Sequence, residues 1–237
     1  MVKILLICLL AVLAAAPARA RAAFEDTMAQ RLLACTVCHG SQGRAGPDGF
    51  YPRIAGKPAG YLYNQLLNFR DGRRHYGLMA RLLDPLSDAY LLEIAQHFAS
   101  LDLPYAVPPR PRVPDAVLQR GQVLVRKGDP AKDIPACEQC HGPALTGVVP
   151  NTPGLLGLSR DYLNSQLGAW RTGQRRAHAP DCMAQIARQL APEDVVAVAS
   201  WLAAQPLPAD TAAAASLPRP PVIKCGSASQ PAGRQQP

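Results

Sequence analysis

The strongest constraint on the fold of this chain is a six-residue motif that occurs twice. Residues 35–40 read CTVCHG, and residues 137–142, roughly a hundred positions later, read CEQCHG. Two cysteines separated by two residues and followed at once by a histidine suit three chemistries. These are a redox-active dithiol, part of a zinc site, and an anchor for covalently bound haem.

The sequence that follows each motif is repeated as well. A Y-L-x-x-Q-L stretch occupies residues 61–66 and again residues 162–167, and a methionine follows in each half, Met79 and Met183. Internal similarity over this length indicates duplication of a whole structural unit. The sequence therefore predicts two tandem domains.

Apolar residues at helical spacing predict an all-α fold. The predicted helices cover residues 24–35, 60–72, 87–101 and 192–206. Ser87 is a predicted N-cap, while Pro192 and the acidic residues after it suit the first turn of the last helix. No alternating pattern of a β-strand is visible between these helices.

Composition shifts divide the chain into five segments. Residues 1–20 resemble a secretory signal peptide, with Lys3, a short apolar run and a small-x-small cleavage signal at Ala20. Residues 21–104 and 115–208 are the two predicted domains. The proline-rich residues 105–114 join them as a linker, and residues 209–237 form an Ala/Pro-rich tail, disordered or an extended arm.

Export to the periplasm affects how the cysteines are interpreted, because thiols in an oxidising compartment are usually paired or occupied. The two motifs account for four cysteines outside the signal peptide, which leaves Cys182 and Cys225. We expect a disulfide between them; two separate thiols are the alternative. The net charge of +8 comes from scattered basic residues without a basic tract, so we do not expect a nucleic-acid partner.

Covalent haem explains the motif better than the other two chemistries. A redox dithiol normally belongs to an α/β unit, and a shared zinc site gives no role to the adjacent histidines. In haem attachment, Cys35 and Cys38, and likewise Cys137 and Cys140, form thioethers, and the next residue binds the iron. His39 and His141 are thus predicted axial ligands.

The second axial position is open to more than one side chain. Met79 and Met183 are the predicted ligands because they alone match each other across the repeat. His75, His178 and Cys182 lie close to them in sequence and remain competitors. Met28 has no counterpart in the other half and is predicted to fill the core.

With these motifs, the chain resembles class I c-type cytochromes in tandem, and is most similar to the dihaem cytochrome c4 family over residues 24–208. The resemblance implies two small helical domains, each around one covalently bound haem c group, packed through their propionate edges. It also implies that carbonyl groups near Pro52 and Pro153 orient the iron-binding histidines. Arg70 and Arg171 are candidate partners of the haem propionates, and a solvated helix face is the alternative.

The resemblance implies an electron carrier rather than an enzyme. The expected donor is a quinol-oxidising complex or a dehydrogenase of the respiratory chain, and the expected acceptor is a terminal oxidase or reductase. The alternatives are a dihaem enzyme of the peroxidase or thiosulfate-oxidising type, and a cytochrome subunit bound permanently to a membrane dehydrogenase. Peripheral association with a membrane is compatible with each of these functions.

Overall fold

The computed structural model describes residues 26–46, 49–105 and 109–228. The predicted signal peptide, residues 1–20, lies outside the described residues, and so do residues 229–237 of the predicted tail. Within the described ranges, no helix combines the length and apolar character needed to cross a bilayer.

The first half is helical, as its apolar spacing predicts. Its helices are α1 (Met28–Arg31), α2 (Leu33–His39), α3 (Ala59–Arg70), α4 (Gly77–Leu83) and α5 (Asp88–Ala99), with a 3₁₀ turn at Ser41–Gly43. The first predicted helix is interrupted at Leu32, which separates α1 from α2. Ser87 caps α5 as predicted, since its hydroxyl accepts a hydrogen bond from the Tyr90 backbone N–H.

The second half repeats this plan. Its elements are α6 (Asp115–Lys127), a 3₁₀ turn at Pro130–Lys132, α7 (Glu138–His141), β1 (Gly147–Val148), β2 (Thr152–Pro153), α8 (Arg160–Thr172), α9 (Cys182–Gln189) and α10 (Pro192–Ala204). α10 begins at Pro192 with two acidic residues in its first turn, as predicted. The predominance of helix in both halves confirms the all-α class.

Each half has its own hydrophobic core. The first includes Leu32, Leu91 and Phe98, and its main packing joins α3 to α5. In the second, α10 packs against α6 and α8. The α6–α10 crossing is close because Gly121 has no side chain: a β-carbon there would lie 2.2 Å from the Ala197 carbonyl oxygen. Two separate cores are the expected result of a duplicated unit.

Two features of the secondary structure correct the expectations from sequence. The segments that carry the methionines, read as loops from the sequence, are the helices α4 and α9. β1 and β2 form a two-residue antiparallel pair where no strand was expected. Both differences have the same cause, because elements of two to eight residues are too short to show a clear hydrophobic period.

The described part of the tail is an extended arm packed on the second half. The Ala214 backbone pairs with this half's β-hairpin, since its N–H donates to the Gly147 carbonyl and its carbonyl accepts from Val149 N–H. Further on, a disulfide joins Cys225 to Cys182 at the start of α9. The arm therefore reaches from the segment beside the second Cys-x-x-Cys-His motif to the helix that carries Met183.

Candidate haem sites

The first Cys-x-x-Cys-His motif lies on α2, which contains Cys35, Cys38 and His39. Both thiols are free, and the His39 side chain is buried. Its Nδ1 lies 2.8 Å from the carbonyl oxygen of Pro52. Because a carbonyl only accepts hydrogen bonds, Nδ1 carries the proton and Nε2 keeps its lone pair for a metal ion.

The second motif has the same geometry. Cys137 lies at the N-terminus of α7, Cys140 and His141 lie within it, and both thiols are again free. The buried His141 ring donates from Nδ1 to the Pro153 carbonyl oxygen at 2.7 Å. The structure thus places Pro52 and Pro153 where the family resemblance implies that they orient the histidines.

Burial controls the protonation of these side chains. It lowers the pKa of His39 and of His141, and the positive charges of Arg74 and Lys57 respectively lower it further. Both imidazoles are therefore favoured in the neutral form that binds iron. Burial also raises the pKa of the Cys137 thiol to about 12, which does not suit a reactive dithiol.

The two predicted methionine ligands occupy equivalent positions. Met79 packs at the edge of the first core and Met183 at the edge of the second, and both are partly buried. Of their competitors, His75 is exposed and His178 is partly buried. Cys182 forms the disulfide with Cys225, so it has no thiolate that could bind iron. Met28 packs against the first core, the role that its lack of a counterpart predicts.

Arg70 and Arg171, the predicted propionate partners, both donate hydrogen bonds to backbone carbonyl groups. Arg70 donates to the Leu86 carbonyl at 3.0 Å and pairs with Asp88 at 2.7 Å. Arg171 donates to the carbonyl groups of Ala187 and Leu190. Each guanidinium thus ties the helix on which it lies to the chain that leaves the methionine-bearing helix.

The sequence analysis missed a second pair of arginines, Arg74 and Arg175, which lie buried where the two halves meet. Their backbones form an antiparallel bridge, and each guanidinium donates to the side-chain oxygens of both Gln65 and Gln166 at 2.6 to 2.9 Å. Among the described residues, neither guanidinium forms an ion pair with a carboxylate. The sequence signal that could have identified them is that Arg74 and Arg175 occupy matching positions in the two halves of the repeat.

The side chains present fit covalently bound haem. Each half supplies two free thiols, an imidazole with its Nδ1 already bonded, and one methionine that matches across the repeat. The buried arginines suit carboxylate groups such as propionates. Among the described residues, no three His, Cys, Asp or Glu side chains gather into a metal-binding cluster, so the two motifs do not share one metal ion. The fold and the sites together define a c-type cytochrome with two tandem domains.

Comparison with known proteins agrees with this class. No protein-family model matches the sequence. The chain is 39% identical to the "Thiosulfate dehydrogenase electron acceptor" of Thiomonas intermedia over 73% of this chain and 79% of the relative. It is 34% identical to cytochrome c4 of Pseudomonas aeruginosa over 71% of this chain and 82% of the relative.

A solved structure also resembles the chain. It is the thiosulfate dehydrogenase TsdBA of Marichromatium purpuratum, with 32% identity and a TM-score of 0.66 over 73% of this chain; the match spans only 36% of that longer chain. Together with the curated relatives, these similarities show that the chain belongs to the dihaem cytochrome c4 family. It is an electron-transfer protein, and its cofactors are two covalently attached haem c groups.

Proposed function

We propose that the chain is an exported, periplasmic carrier that accepts single electrons from a thiosulfate dehydrogenase and delivers them to a terminal oxidase or reductase. The observation that carries this proposal is the equivalence of the two sites, in which a proline carbonyl holds each buried histidine by Nδ1. Two haem sites with the same arrangement of side chains suit electron transfer better than catalysis, which generally needs one specialised site. The Thiomonas relative's name supports the choice of donor.

The proposal assigns every ligand to a residue of this chain. Cys35 and Cys38 attach the first haem, and His39 and Met79 bind its iron; the second haem is held by Cys137, Cys140, His141 and Met183. When bound, the haem group supplies a reversible one-electron couple. The proline carbonyls would hold His39 and His141, and core packing would hold Met79 and Met183, so that little rearrangement would accompany the change in charge.

Arg74 and Arg175 have a proposed role between the two sites. Both are buried cations, and burying a charge without a counterion is costly. Haem propionates from both halves would provide the carboxylates that the described residues do not. The arginines would then fix the distance between the two haem groups as well as the contact between the halves.

The alternatives receive less support from the structure. An enzyme with thiolate-ligated iron needs a free cysteine near Met183, and Cys182 is engaged in a disulfide. A quinol-oxidising complex remains an alternative donor. A permanently bound subunit uses the same electron-transfer chemistry and differs only in whether the complex dissociates.

Reconstitution tests the proposed donor. The purified dihaem protein is mixed with a catalytic amount of purified thiosulfate dehydrogenase, thiosulfate is added, and reduction is followed through the haem absorbance. We expect two electrons per chain to be taken up, and no reduction when either the dehydrogenase or thiosulfate is omitted. Reduction by a quinol-oxidising complex, with none by the dehydrogenase, would overturn the assigned donor.

The assigned ligands have an independent test. Methionine bound to low-spin ferric haem gives a weak far-red charge-transfer band. The intensity of this band per protein chain therefore counts the methionine-ligated irons. We expect two equivalents in the parent protein and one in either Met79→Ala or Met183→Ala. A full band in either variant would exclude that methionine as a ligand.

A further inference from the structure

A buried lysine of the first half reaches into the second half beside its histidine site. Lys57 lies in the loop before α3 and is only 5% exposed. Its Nζ donates a hydrogen bond to the Gly154 carbonyl oxygen at 3.2 Å, 97 residues away in sequence. Gly154 directly follows Pro153, whose own carbonyl accepts the Nδ1–H of His141. The ammonium group and the imidazole are therefore bonded to consecutive peptide groups.

The charge of Lys57 is not balanced by the protein around it. Among the described residues, no carboxylate pairs with this ammonium group, and the charged group that acts on it is another cation, Arg53. The Arg53 guanidinium is itself occupied by the carbonyl groups of Ala55, Leu103 and Pro104. Burial lowers the pKa of Lys57 to about 8, with a smaller contribution from Arg53. The side chain is thus still mainly protonated at pH 7.

The sequence repeat shows that this cation is present on one side only. Arg74 and Arg175 match each other across the halves, and the charge of Arg74 acts on His39. The position that matches Lys57 is Leu158, a buried apolar residue. Lys57 therefore adds a buried positive charge near His141 that the matching position of the repeat does not carry.

We propose that Lys57 raises the electron affinity of the haem held by His141, and that it affects the haem held by His39 much less. The reason is electrostatic: ferric haem carries one more positive charge than ferrous haem, and a nearby buried cation disfavours the form with more positive charge. This inference rests on the proposed attachment of haem at the second motif.

The test is a redox titration of the dihaem protein and its Lys57 variants. NMR of the haem methyl resonances follows each haem separately during the titration. In Lys57→Met and Lys57→Gln, we expect the equilibrium constant for reduction of the second haem to fall about tenfold. For one electron, this lowers the reduction potential by about 59 mV. The first haem should change by less than about twofold. Two neutral substitutions keep the test usable if one variant folds poorly.

Matched variants separate the charge from other effects. Lys57→Arg retains the charge and should stay within about twofold of the parent. Lys127→Met removes the same charge from an exposed position, and both haems should be unaffected because solvent screens that charge. Unchanged potentials in both neutral variants, equal shifts of both haems, or the same loss in Lys57→Arg would each overturn the role of Lys57.

Haem content, measured by mass and absorbance, distinguishes failure of the role of Lys57 from failure of the proposed function. A parent protein with fewer than two covalent haems would refute the attachment sites themselves, and the role of Lys57 with them. Two bound haems whose potentials do not respond to the neutral variants would leave the carrier function intact and refute only the effect of Lys57.

Discussion

The disulfide between Cys182 and Cys225 makes a specific prediction, because it holds the arm against the helix that carries Met183. It closes a loop with a sequence separation of 43 residues. In the chain-entropy model, a cross-link over this length stabilises the folded state by about 4 kcal/mol, mainly by restricting the unfolded chain. The loop spans α9 and α10, so this stabilisation belongs to the second half.

The double variant Cys182→Ser/Cys225→Ser removes the cross-link without leaving a free thiol beside Met183. We expect the unfolding free energy of the second half to fall by about 2 to 4 kcal/mol, while the first half is unchanged. The measurement is urea unfolding, with circular dichroism for overall structure and the methionine–iron band for each ligand. In the variant, one equivalent of that band should be lost at lower urea than the other.

Chemical reduction of the parent disulfide is the matched control and should reproduce the behaviour of the double variant. Both samples are compared with a parent sample in the same haem oxidation state. A loss below about 0.5 kcal/mol, or an equal loss in both halves, would show that the arm does not stabilise the Met183 region through this bond.

Three further predictions concern the interior and the contact between the halves. Arg74→Gln should weaken the contact between the halves, so that the two halves unfold at more widely separated temperatures in calorimetry. The control is Arg81→Gln, because Arg81 is exposed. Gly121→Ala should destabilise the second half by about 1 to 3 kcal/mol, measured by urea unfolding, because the added methyl group would overlap the facing helix. Hydrogen bonds from Arg120 hold the pKa of the Asp194 carboxyl below its ordinary value. The ion pair of Arg120 and Asp194 therefore stabilises the fold fully at pH values above the ordinary pKa of an Asp carboxyl. This stabilisation is lost as the pH falls through the lowered pKa. Asp194→Asn should cost about 2 kcal/mol at pH 7 and progressively less in acid; a constant difference across that pH range would refute the assignment.

Much of this protein could be predicted from the sequence because the informative patterns are local. The spacing Cys35, Cys38, His39 is set by the haem group itself, and all three residues lie within one short helix. The helices α3, α5 and α10 could be predicted because two or three turns of apolar spacing are visible in the chain, whereas α6 was not predicted. α4 and the β1–β2 pair fall below that length, so their conformation depends on packing that a short segment does not encode.

The sequence by itself thus determined the duplicated all-α plan, the two haem-attachment motifs and the pair of matched methionines. Only the tertiary structure decided which charged side chains surround the sites. Arg70, a predicted partner of a propionate, donates to the Leu86 carbonyl, and Arg74 and Arg175 meet across the halves. Lys57 meets Gly154 from 97 residues away. The physical reason is that a charge acts through distance and burial in space, and neither quantity can be read from neighbouring residues along the chain.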